Sequence, residues 1–203
     1  AIARHPRRDQ VLIGGSDRVP YLYRMDRARA LKIADDSTLV RKFAEQQGDI
    51  YALAFSADGS RIAVGGIANQ VTVYDTETGD LLWTRSVEGL EGSPDEPPQI
   101  NEETGYSAPT LVVHGDQVFA MFANADLVSY DFDGNQIWGY NVGYLENHYG
   151  HSSSLIAYGN LLYIQFDQVE NGELIALNAE TGKEVWATAR EEISWASPIV
   201  APT

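Results

Sequence analysis

Residues 51–83 read YALAFSADGSRIAVGGIANQVTVYDTETGDLLW, and this stretch decides the fold. Short apolar or alternating runs are separated by turn sequences, of which Asp58-Gly59 is typical of a hairpin because glycine accepts a positive φ. Short runs rich in Val, Ile and Tyr between such turns predict β-strands. We expect four antiparallel strands here, at residues 51–55, 61–65, 70–75 and 81–85.

The same plan recurs on both sides of this stretch. At a constant offset of 51 positions, residues 11–15 (VLIGG) fall on residues 62–66 (IAVGG). Two further units follow, with strands expected at residues 110–113, 118–122, 127–131 and 137–140, and at residues 154–157, 161–166, 173–178 and 184–187. In three units the turn before the fourth strand is followed by a tryptophan: Trp83, Trp138 and Trp186. The last two are 48 residues apart, a spacing typical of propeller blades.

A four-stranded meander of this size cannot bury both of its faces alone, whereas several packed radially around a channel can. The sequence therefore predicts an all-β fold, a β-propeller of about four four-stranded antiparallel blades. Residues 196–200 predict one extra strand, which would begin a further blade. Helix is expected only within residues 27–47, an insertion between the third and fourth strands of the first blade.

Two repeat families share features with these units. Residues 1–88 resemble WD40 repeats, in particular the degenerate repeats of large planctomycete-type proteins, through FSADGSRIAVGG and VTVYDTETG. Tyr74-Asp75 stands where Trp-Asp is usual in that family. Residues 106–203 resemble the PQQ-like repeats of quinoproteins and of BamB-type outer-membrane assembly scaffolds. Their motif is matched by ALNAETGKEVW at residues 176–186, with Asn178 in place of its aspartate.

The resemblance to PQQ-like repeats implies a role for the motif tryptophans. In that family this residue packs between neighbouring blades, which is the role implied for Trp83, Trp138 and Trp186. Quinoprotein enzymes hold PQQ in a larger ring, with a calcium site and commonly a vicinal disulfide. This chain has no cysteine and shares only the blade motif, so we expect no cofactor and no enzymatic activity. The hypothesis is a non-enzymatic scaffold for protein–protein interaction; the alternative is a small-ligand or metal-binding propeller, a quinoprotein-like enzyme or sensor.

The two resemblances meet in residues 89–105, an acidic, proline-rich stretch without a strand pattern. We therefore divide the chain into WD40-like blades at residues 1–88, this junction, and PQQ-like blades at residues 106–203. A natural hybrid propeller and an engineered fusion of two half-propellers both fit this division. The opening AIARHP and the solitary last strand further suggest cut termini, as in a mature chain, a fragment or an engineered chimera without evolved activity.

Charge is distributed unevenly along the chain. Residues 1–42 hold ten of the fourteen Lys and Arg residues against five Asp, which gives +5 there and −20 elsewhere. The acidic majority would repel nucleic acid, and no run approaches the about 18 apolar residues that a membrane helix needs. We therefore expect a protein partner, with neither nucleic acid nor membrane insertion. Only the PQQ-like resemblance bears on the compartment, and it favours the periplasm or the extracellular space.

The richest polar cluster is ENHYGHS, between the fourth strand of one unit and the first of the next. Glu146, His148 and His151 predict either a weak metal site, since imidazole and carboxylate ligands suit zinc, or a polar loop. Tyr149 and His148, with Trp195 in the equivalent connection one blade later, are the candidates for partner binding. Exposed aromatic residues often anchor protein interfaces. No catalytic residues are predicted.

The expected lone strand at residues 196–200 also bears on assembly. An unpaired edge strand is a liability that proteins normally cover. Either the chain closes as a small ring by overlapping its ends, or two chains combine into a ring of about eight blades. We expect the second arrangement, a homodimer.

Overall fold

The computed structural model describes residues 1–25, 36–96, 110–144, 151, 153–169, 171–194 and 196–200. Within them, sixteen strands form four separate four-stranded antiparallel sheets, which we call blades 1 to 4 in chain order. The strands of each blade are hydrogen-bonded in sequence order, so each blade is a simple meander. This is the architecture that the repeat predicts.

The strand bounds follow the sequence pattern closely. Blade 1 consists of β1 (Ile2–Arg4), β2 (Gln10–Ile13), β3 (Tyr21–Arg24) and β4 (Leu39–Lys42). Blade 2 consists of β5 (Ile50–Phe55), β6 (Arg61–Gly66), β7 (Gln70–Asp75) and β8 (Leu81–Ser86). Blade 3 consists of β9 (Thr110–His114), β10 (Gln117–Met121), β11 (Asp126–Asp131) and β12 (Gln136–Asn141). Blade 4 consists of β13 (Ile156–Tyr158), β14 (Leu161–Phe166), β15 (Gly172–Asn178) and β16 (Glu184–Arg190).

The helix expected within residues 27–47 is wrong for the part of this segment that the structure describes. Asp36–Thr38 forms a single 3-10 turn, and Leu39–Lys42 is β4, the outer strand of blade 1. Lys42 pairs with Tyr21 of β3, so the ladder of the blade holds this segment extended, and tertiary pairing overrides local preference. The preceding residues 26–35 lie outside the described residues.

The extra strand expected at residues 196–200 is not formed. A strand needs a hydrogen-bonded neighbour, and the described residues hold no second strand of a fifth blade with which it could pair. The segment is tied to blade 4 instead, because the backbone amide of Ser154 donates to Ser197 Oγ at 3.0 Å.

The blades pack side by side through their innermost strands, β1 against β5, β5 against β9 and β9 against β13. A buried apolar cluster fills each junction, and burial of these faces supplies the main stabilising term. Almost fully buried members are Leu12 and Tyr74 between blades 1 and 2, Val73 and Val128 between blades 2 and 3, and Phe119 and Leu162 between blades 3 and 4. Among the described strands, no packing of similar extent joins blade 1 to blade 4. Within the described residues, the outward faces of these two blades are therefore not covered by another blade.

The meander gives every blade two ends. The turns between first and second strands and between third and fourth strands lie at one end, here called the turn face. The loops between second and third strands, and the connections between blades, lie at the other end, the loop face. As for membranes, the described part of the chain includes no helix with the length and apolarity needed to cross a bilayer.

Candidate functional site

Trp83 and Trp138 each reach from their own blade into the next one at the turn face. The indole N–H of Trp83 donates to the carbonyl of Phe132 at 2.9 Å, and that of Trp138 donates to the carbonyl of Ala179 at 2.9 Å. Both acceptors belong to the turn between third and fourth strands of the following blade. Because a buried indole N–H without a partner costs roughly 1–3 kcal/mol, these bonds fix where the rings lie.

The glycine of each receiving turn is required for two reasons. Gly134 has a φ of +80° and Gly182 a φ of +69°, a region that side chains other than glycine rarely adopt. A Cβ on Gly134 would lie 2.8 Å from the ring of Trp83, and one on Gly182 would lie 2.7 Å from the ring of Trp138. The indole of one blade therefore packs directly on the turn backbone of the next.

A second side chain strengthens each of these junctions. Arg85, two positions after Trp83, donates from Nε to the carbonyl of Gly134 at 2.8 Å. Tyr140, at the same position in blade 3, donates its hydroxyl to the carbonyl of Gly182 at 2.8 Å. The turn of one blade is thus held by two hydrogen bonds from the outer strand of the blade before it.

Every blade has a β-bulge immediately before the residue at the position of Trp83, and in blades 1 to 3 that residue contacts the next blade. In β8, Trp83 pairs with Val73 but Leu81 pairs with Tyr74, which leaves Leu82 as an extra residue. The corresponding extra residues in the other blades are Val40, Ile137 and Val185. The four are 40–54% exposed and form a repeated apolar position along the outer strands. Bulges of this kind re-aim side chains, and they were not predicted from the sequence.

Blade 1 makes its junction with an arginine, which sequence reasoning missed. Arg41 occupies in β4 the position that Trp83 occupies in β8. Its guanidinium donates to the carbonyl of Thr78 at 2.7 Å and also to that of Glu77, both in the turn of blade 2. A Cβ on Gly79 would lie 2.7 Å from Arg41 Cδ, so the close packing on the turn glycine is kept. The sequence offered no signal for this role, because the strand that carries Arg41 was itself not predicted.

Trp186 holds the same position in blade 4, where no further blade follows among the described residues. It pairs with Ala176 of β15 and is 39% exposed, compared with 6% for Trp83. Its ring contacts Tyr163 of its own blade, with centroids 6.1 Å apart. Trp186 therefore lies on the open face of blade 4.

At the loop face, blade 4 carries a buried polar network centred on Asp167. The side chain of Asp167 is 4% exposed and accepts a 2.7 Å hydrogen bond from Arg190 Nε in an ion pair. It also accepts from the backbone amide of Ser194 at 2.8 Å and from Gln165 Nε2 at 2.9 Å. The network joins the connection after β16 to the loop between β14 and β15. Sequence reasoning missed it because nothing marks Asp167 and Arg190 as partners.

Blade 3 has a comparable network around Asp126, which is 3% exposed. Asp126 Oδ1 accepts from Ser93 Oγ at 2.6 Å and from Asn141 Nδ2 at 2.8 Å. Glu91 forms an isolated parallel bridge with β12, and its carbonyl accepts from the amide of Asn141 at 2.8 Å. The beginning of the acidic junction therefore runs along the outer edge of blade 3 and is held there by a buried carboxylate.

His151 is buried between blades 3 and 4 and is 3% exposed. Its backbone amide donates to the carbonyl of Ala123, in the loop of blade 3, at 3.3 Å. Burial lowers the pKa of the imidazole to about 4, against the opposing effects of a hydrogen bond with the Ser153 backbone and of the negative charge on Asp167. The ring is therefore neutral at neutral pH, and it supports the segment that leads into β13.

The other residues predicted for the loop-face site, Glu146, His148, Tyr149 and Trp195, lie outside the described residues. Their roles in metal or partner binding stay predictions, and the structure brings only His151 of this set into view. Residues 97–105 of the acidic junction are likewise outside the described part. Among the residues that are described, no three His, Asp or Glu side chains are grouped as a metal site would require.

Solved structures share this fold. BamB from Moraxella catarrhalis is similar with a TM-score of 0.63 at 15% identity, over 93% of this chain and 50% of that one. U3-55K has a TM-score of 0.63 at 10% identity, over 91% of this chain and 50% of its own. The RRP9 WD40 repeats have a TM-score of 0.62 at 9% identity, over 93% and 49%. The likeness confirms the β-propeller fold, and the chain spans about half the length of these proteins.

Sequence comparison agrees with the fold. An uncharacterized WD repeat-containing protein of Schizosaccharomyces pombe is 28% identical over 87 residues, which are 42% of this chain and 13% of that protein. The family model described as outer membrane protein assembly factor BamB matches residues 24–201. Both resemblances seen in the sequence, to WD40 and to PQQ-like repeats, are thereby confirmed. The chain is a β-propeller with WD40 and PQQ-like features and belongs to the outer membrane protein assembly factor BamB family.

Proposed function

We propose that this chain is a non-enzymatic scaffold that binds a protein partner through its loop face. The proposal rests on the buried polar side chains at the loop face, which are already bonded within the fold. Asp126 and Asp167 each accept hydrogen bonds from several segments, and His151 is buried between two blades. Carboxylates bound in this way by neighbouring strands and connections act as supports, since charge-assisted hydrogen bonds of this kind are strong and directional.

The matched family supports the same proposal. Its description names an assembly factor, and an assembly factor acts by binding other proteins. Applied to this chain, that description favours a propeller that provides a binding surface for other proteins. A fold alone does not define a function, so the proposal rests on the loop face as well as on the family.

In the sequence, the supporting networks adjoin the predicted partner-binding residues. Trp195 follows Ser194, whose amide is bonded to Asp167. His148 and Tyr149 precede the buried His151 by three and two positions. Aromatic side chains next to backbone that is already held in place lose less conformational entropy on binding, which favours their use at an interface.

A binding experiment tests the proposed face. The immobilised wild-type chain and the variants Trp195→Ala, Tyr149→Ala and Tyr158→Ala are incubated with an extract of the source organism, and retained proteins are quantified by mass spectrometry. Tyr158 is the matched control, because it is 62% exposed and ends β13 at the turn face. We expect proteins whose retention is lost in the first two variants and kept in the third. Equal retention by all four chains would contradict the proposal.

The alternative function, a small-ligand or metal-binding propeller of quinoprotein type, predicts a different result. Zinc would then raise the Tm of the wild-type chain, and the variant His148→Ala would lose the shift. The structure favours a supporting role for His151, because neighbouring residues already cover its side chain. No shift in either protein is expected if the loop face serves as a scaffold.

The division into residues 1–88, 89–105 and 106–203 stays a prediction, and so does an origin as a fragment or engineered hybrid. The family match at residues 24–201 extends across the predicted junction. Two variants, each labelled at one cysteine introduced into one of the two parts, would test the division when their unfolding is followed during denaturation. Two transitions would support independent halves, and one shared transition would support a single cooperative unit.

A further inference from the structure

The strand topology places most of the negative charge of the chain at the loop face. The segments that join strands at this face, with the residues that follow β16, are residues 14–20, 43–49, 67–69, 87–109, 122–125, 142–155, 167–171 and 191–195. They hold fourteen of the 29 Asp and Glu residues and one of the fourteen Lys and Arg residues, a formal net charge of −13 at pH 7. The segments that join strands at the turn face hold ten acidic and six basic residues, a net charge of −4. The loop face is therefore the acidic end of the molecule.

The basic residues at this face are already engaged within the fold. Arg18, the one basic residue of these segments, pairs with Glu45 at 2.5 Å. Two further basic residues end strands here. Arg190 is bound to the buried Asp167, and Lys42 Nζ lies 5.9 Å from the centroid of a tyrosine ring of its own blade. The fold therefore leaves little positive charge at this face to balance the other carboxylates.

Six exposed carboxylates at this face have no basic partner among the described residues. None of them lies within 4 Å of a basic group in that part of the chain: Glu88, Glu91, Asp95, Glu96, Glu191 and Glu192. They belong to the connection between blades 2 and 3 and to the segment that follows blade 4. Like charges held on one surface repel each other, so binding of a positively charged group there is favoured.

The same face also exposes apolar side chains. Ile67, in the loop between β6 and β7, is 46% exposed, and Val169, in the loop between β14 and β15, is 57% exposed. Tyr144, in the connection after β12, is 86% exposed. At protein interfaces, side chains of this kind supply contact area, and the charges around them select the partner. The loop face therefore combines apolar contact points with an excess of negative charge.

We propose that the partner of the loop face is a basic protein segment, in which Lys or Arg residues lie beside apolar side chains. Its cations would meet the exposed carboxylates, and its apolar side chains would contact residues such as Tyr144 and Val169. An acidic protein segment, a nucleic acid or an anionic membrane surface would be repelled from this face. The inference rests on the proposed function, a scaffold that binds a protein through its loop face, and adds the chemistry of the partner.

A random peptide library displayed on phage tests the chemistry of the partner. Phage are bound to the immobilised wild-type chain at low salt and eluted at high salt. We expect the enriched peptides to carry Lys or Arg together with apolar residues, and their binding to weaken as the ionic strength rises. Enrichment of neutral or acidic peptides, or no enrichment at all, would overturn the inference.

Matched charge variants test whether the loop face is the binding surface. Glu191→Gln/Glu192→Gln and Asp80→Asn/Asp116→Asn each remove two negative charges from exposed residues, the first at the loop face and the second at the turn face. The affinity of an enriched synthetic peptide, measured by fluorescence anisotropy, should fall roughly three- to tenfold in the first variant and by less than about twofold in the second. Equal losses would show attraction to the net charge of the whole chain and would overturn the inference.

A second pair of variants tests the apolar contact. Tyr144→Ser removes an exposed ring at the loop face, and Tyr158→Ser removes one that is 62% exposed at the turn face. We expect weaker binding of the same peptide in Tyr144→Ser and unchanged binding in Tyr158→Ser. Equal binding by the two variants would overturn the apolar contact and with it the inference.

The retention experiment on the loop face separates a failure of this inference from a failure of the proposed function. Proteins whose retention depends on Trp195 should also be lost from Glu191→Gln/Glu192→Gln. If that variant retains them at the wild-type level, the loop face binds a protein that is not basic, and this inference alone is overturned. If no retained protein depends on Trp195 or Tyr149, the proposed function fails, and the inference fails with it.

Discussion

The indole of Trp83 lies against Gly134 of the next blade, where a Cβ would approach the ring to 2.8 Å. The blades form separate sheets, so no backbone ladder crosses from one blade to the next. Cohesion between blades must therefore come from apolar burial, from side chains that bond to a neighbouring turn, and from single backbone hydrogen bonds such as that from the Ile50 amide to the Gly15 carbonyl at 3.1 Å. Since each unit contacts only its neighbours, damage at one such contact should weaken one junction.

The first prediction concerns Gly134→Ala. The substitution places a Cβ against Trp83 and forces alanine to a φ of +80°, so we expect a loss of about 1–3 kcal/mol in the free energy of unfolding. Urea denaturation followed by tryptophan fluorescence measures it. Gly115→Ala is the control, because Gly115 has a φ of +57° but no atom within 4 Å of its Cβ position. Equal losses would mean that the contact with Trp83 has no effect.

The strands could be predicted from sequence because their signal is local. Alternation and turn glycines lie within a few residues of each other, and β7 and β14 match the prediction residue for residue. The strand β4 was missed because its only support is pairing with β3 across an insertion. Residues 196–200 have strand-like composition but no pairing strand among the described residues, and composition alone does not form a strand.

The networks at the loop face could not be predicted in the same way. Asp167 and Arg190 are 23 positions apart, and nothing in the sequence marks them as partners. Arg41 was not recognised because a guanidinium makes the bonds to the next turn here, whereas Trp83 makes its bond with an indole. Of the proposed site residues, His151 was noticed as a candidate ligand or loop residue, and its burial follows only from the packing of blades 3 and 4.

The second prediction concerns Arg41, which takes the place of the motif tryptophan in blade 1. Arg41→Ala removes the hydrogen bonds to Glu77 and Thr78 and should lower the free energy of unfolding by about 1–2 kcal/mol. Arg41→Trp should lower the free energy of unfolding by less, because an indole can pack on Gly79 as Trp83 packs on Gly134. Thermal denaturation of the three proteins ranks them. A larger loss for the tryptophan variant would show that this junction is not equivalent to the others.

The third prediction concerns Arg190→Met. The substitution leaves the carboxylate of Asp167, which is 4% exposed, without its cation, and we expect a loss of about 2 kcal/mol in the free energy of unfolding. Arg18→Met is the matched control, since Arg18 pairs with Glu45 where both side chains are about half exposed. Its loss should be at most about 1 kcal/mol. Hydrogen exchange should also show faster exchange at Ser194 in Arg190→Met alone. Unchanged exchange there would contradict the support of this connection by Asp167.

The fourth prediction is a loss of stability in mild acid. The pKa of His151 is lowered by burial from 6.5 to about 4, so the unfolded chain takes up a proton below pH 6.5 that the folded chain does not. The contribution of the neutral His151 to the free energy of unfolding should therefore be fully present above pH 6.5 and be lost progressively as the pH falls toward 4. His5, whose pKa is also lowered by burial and by Arg8, contributes in the same direction. Hydrogen bonds lower the pKa values of Asp75 and Asp131 below 3.8, so their contributions are lost only at more acidic pH.

A substitution isolates the part that belongs to His151. In His151→Gln the free energy of unfolding should depend much less on pH between 6.5 and 4, even though the variant is less stable at pH 7. His114→Gln is the matched control: His114 lies in an exposed contact with the carbonyl of Gly159 at the turn face, so the slope of the wild type should be kept. Denaturation in urea across this range measures both slopes. If His151→Gln keeps the wild-type slope, proton uptake elsewhere governs acid stability, and the neutral imidazole is not the support for the loop face that its burial indicates.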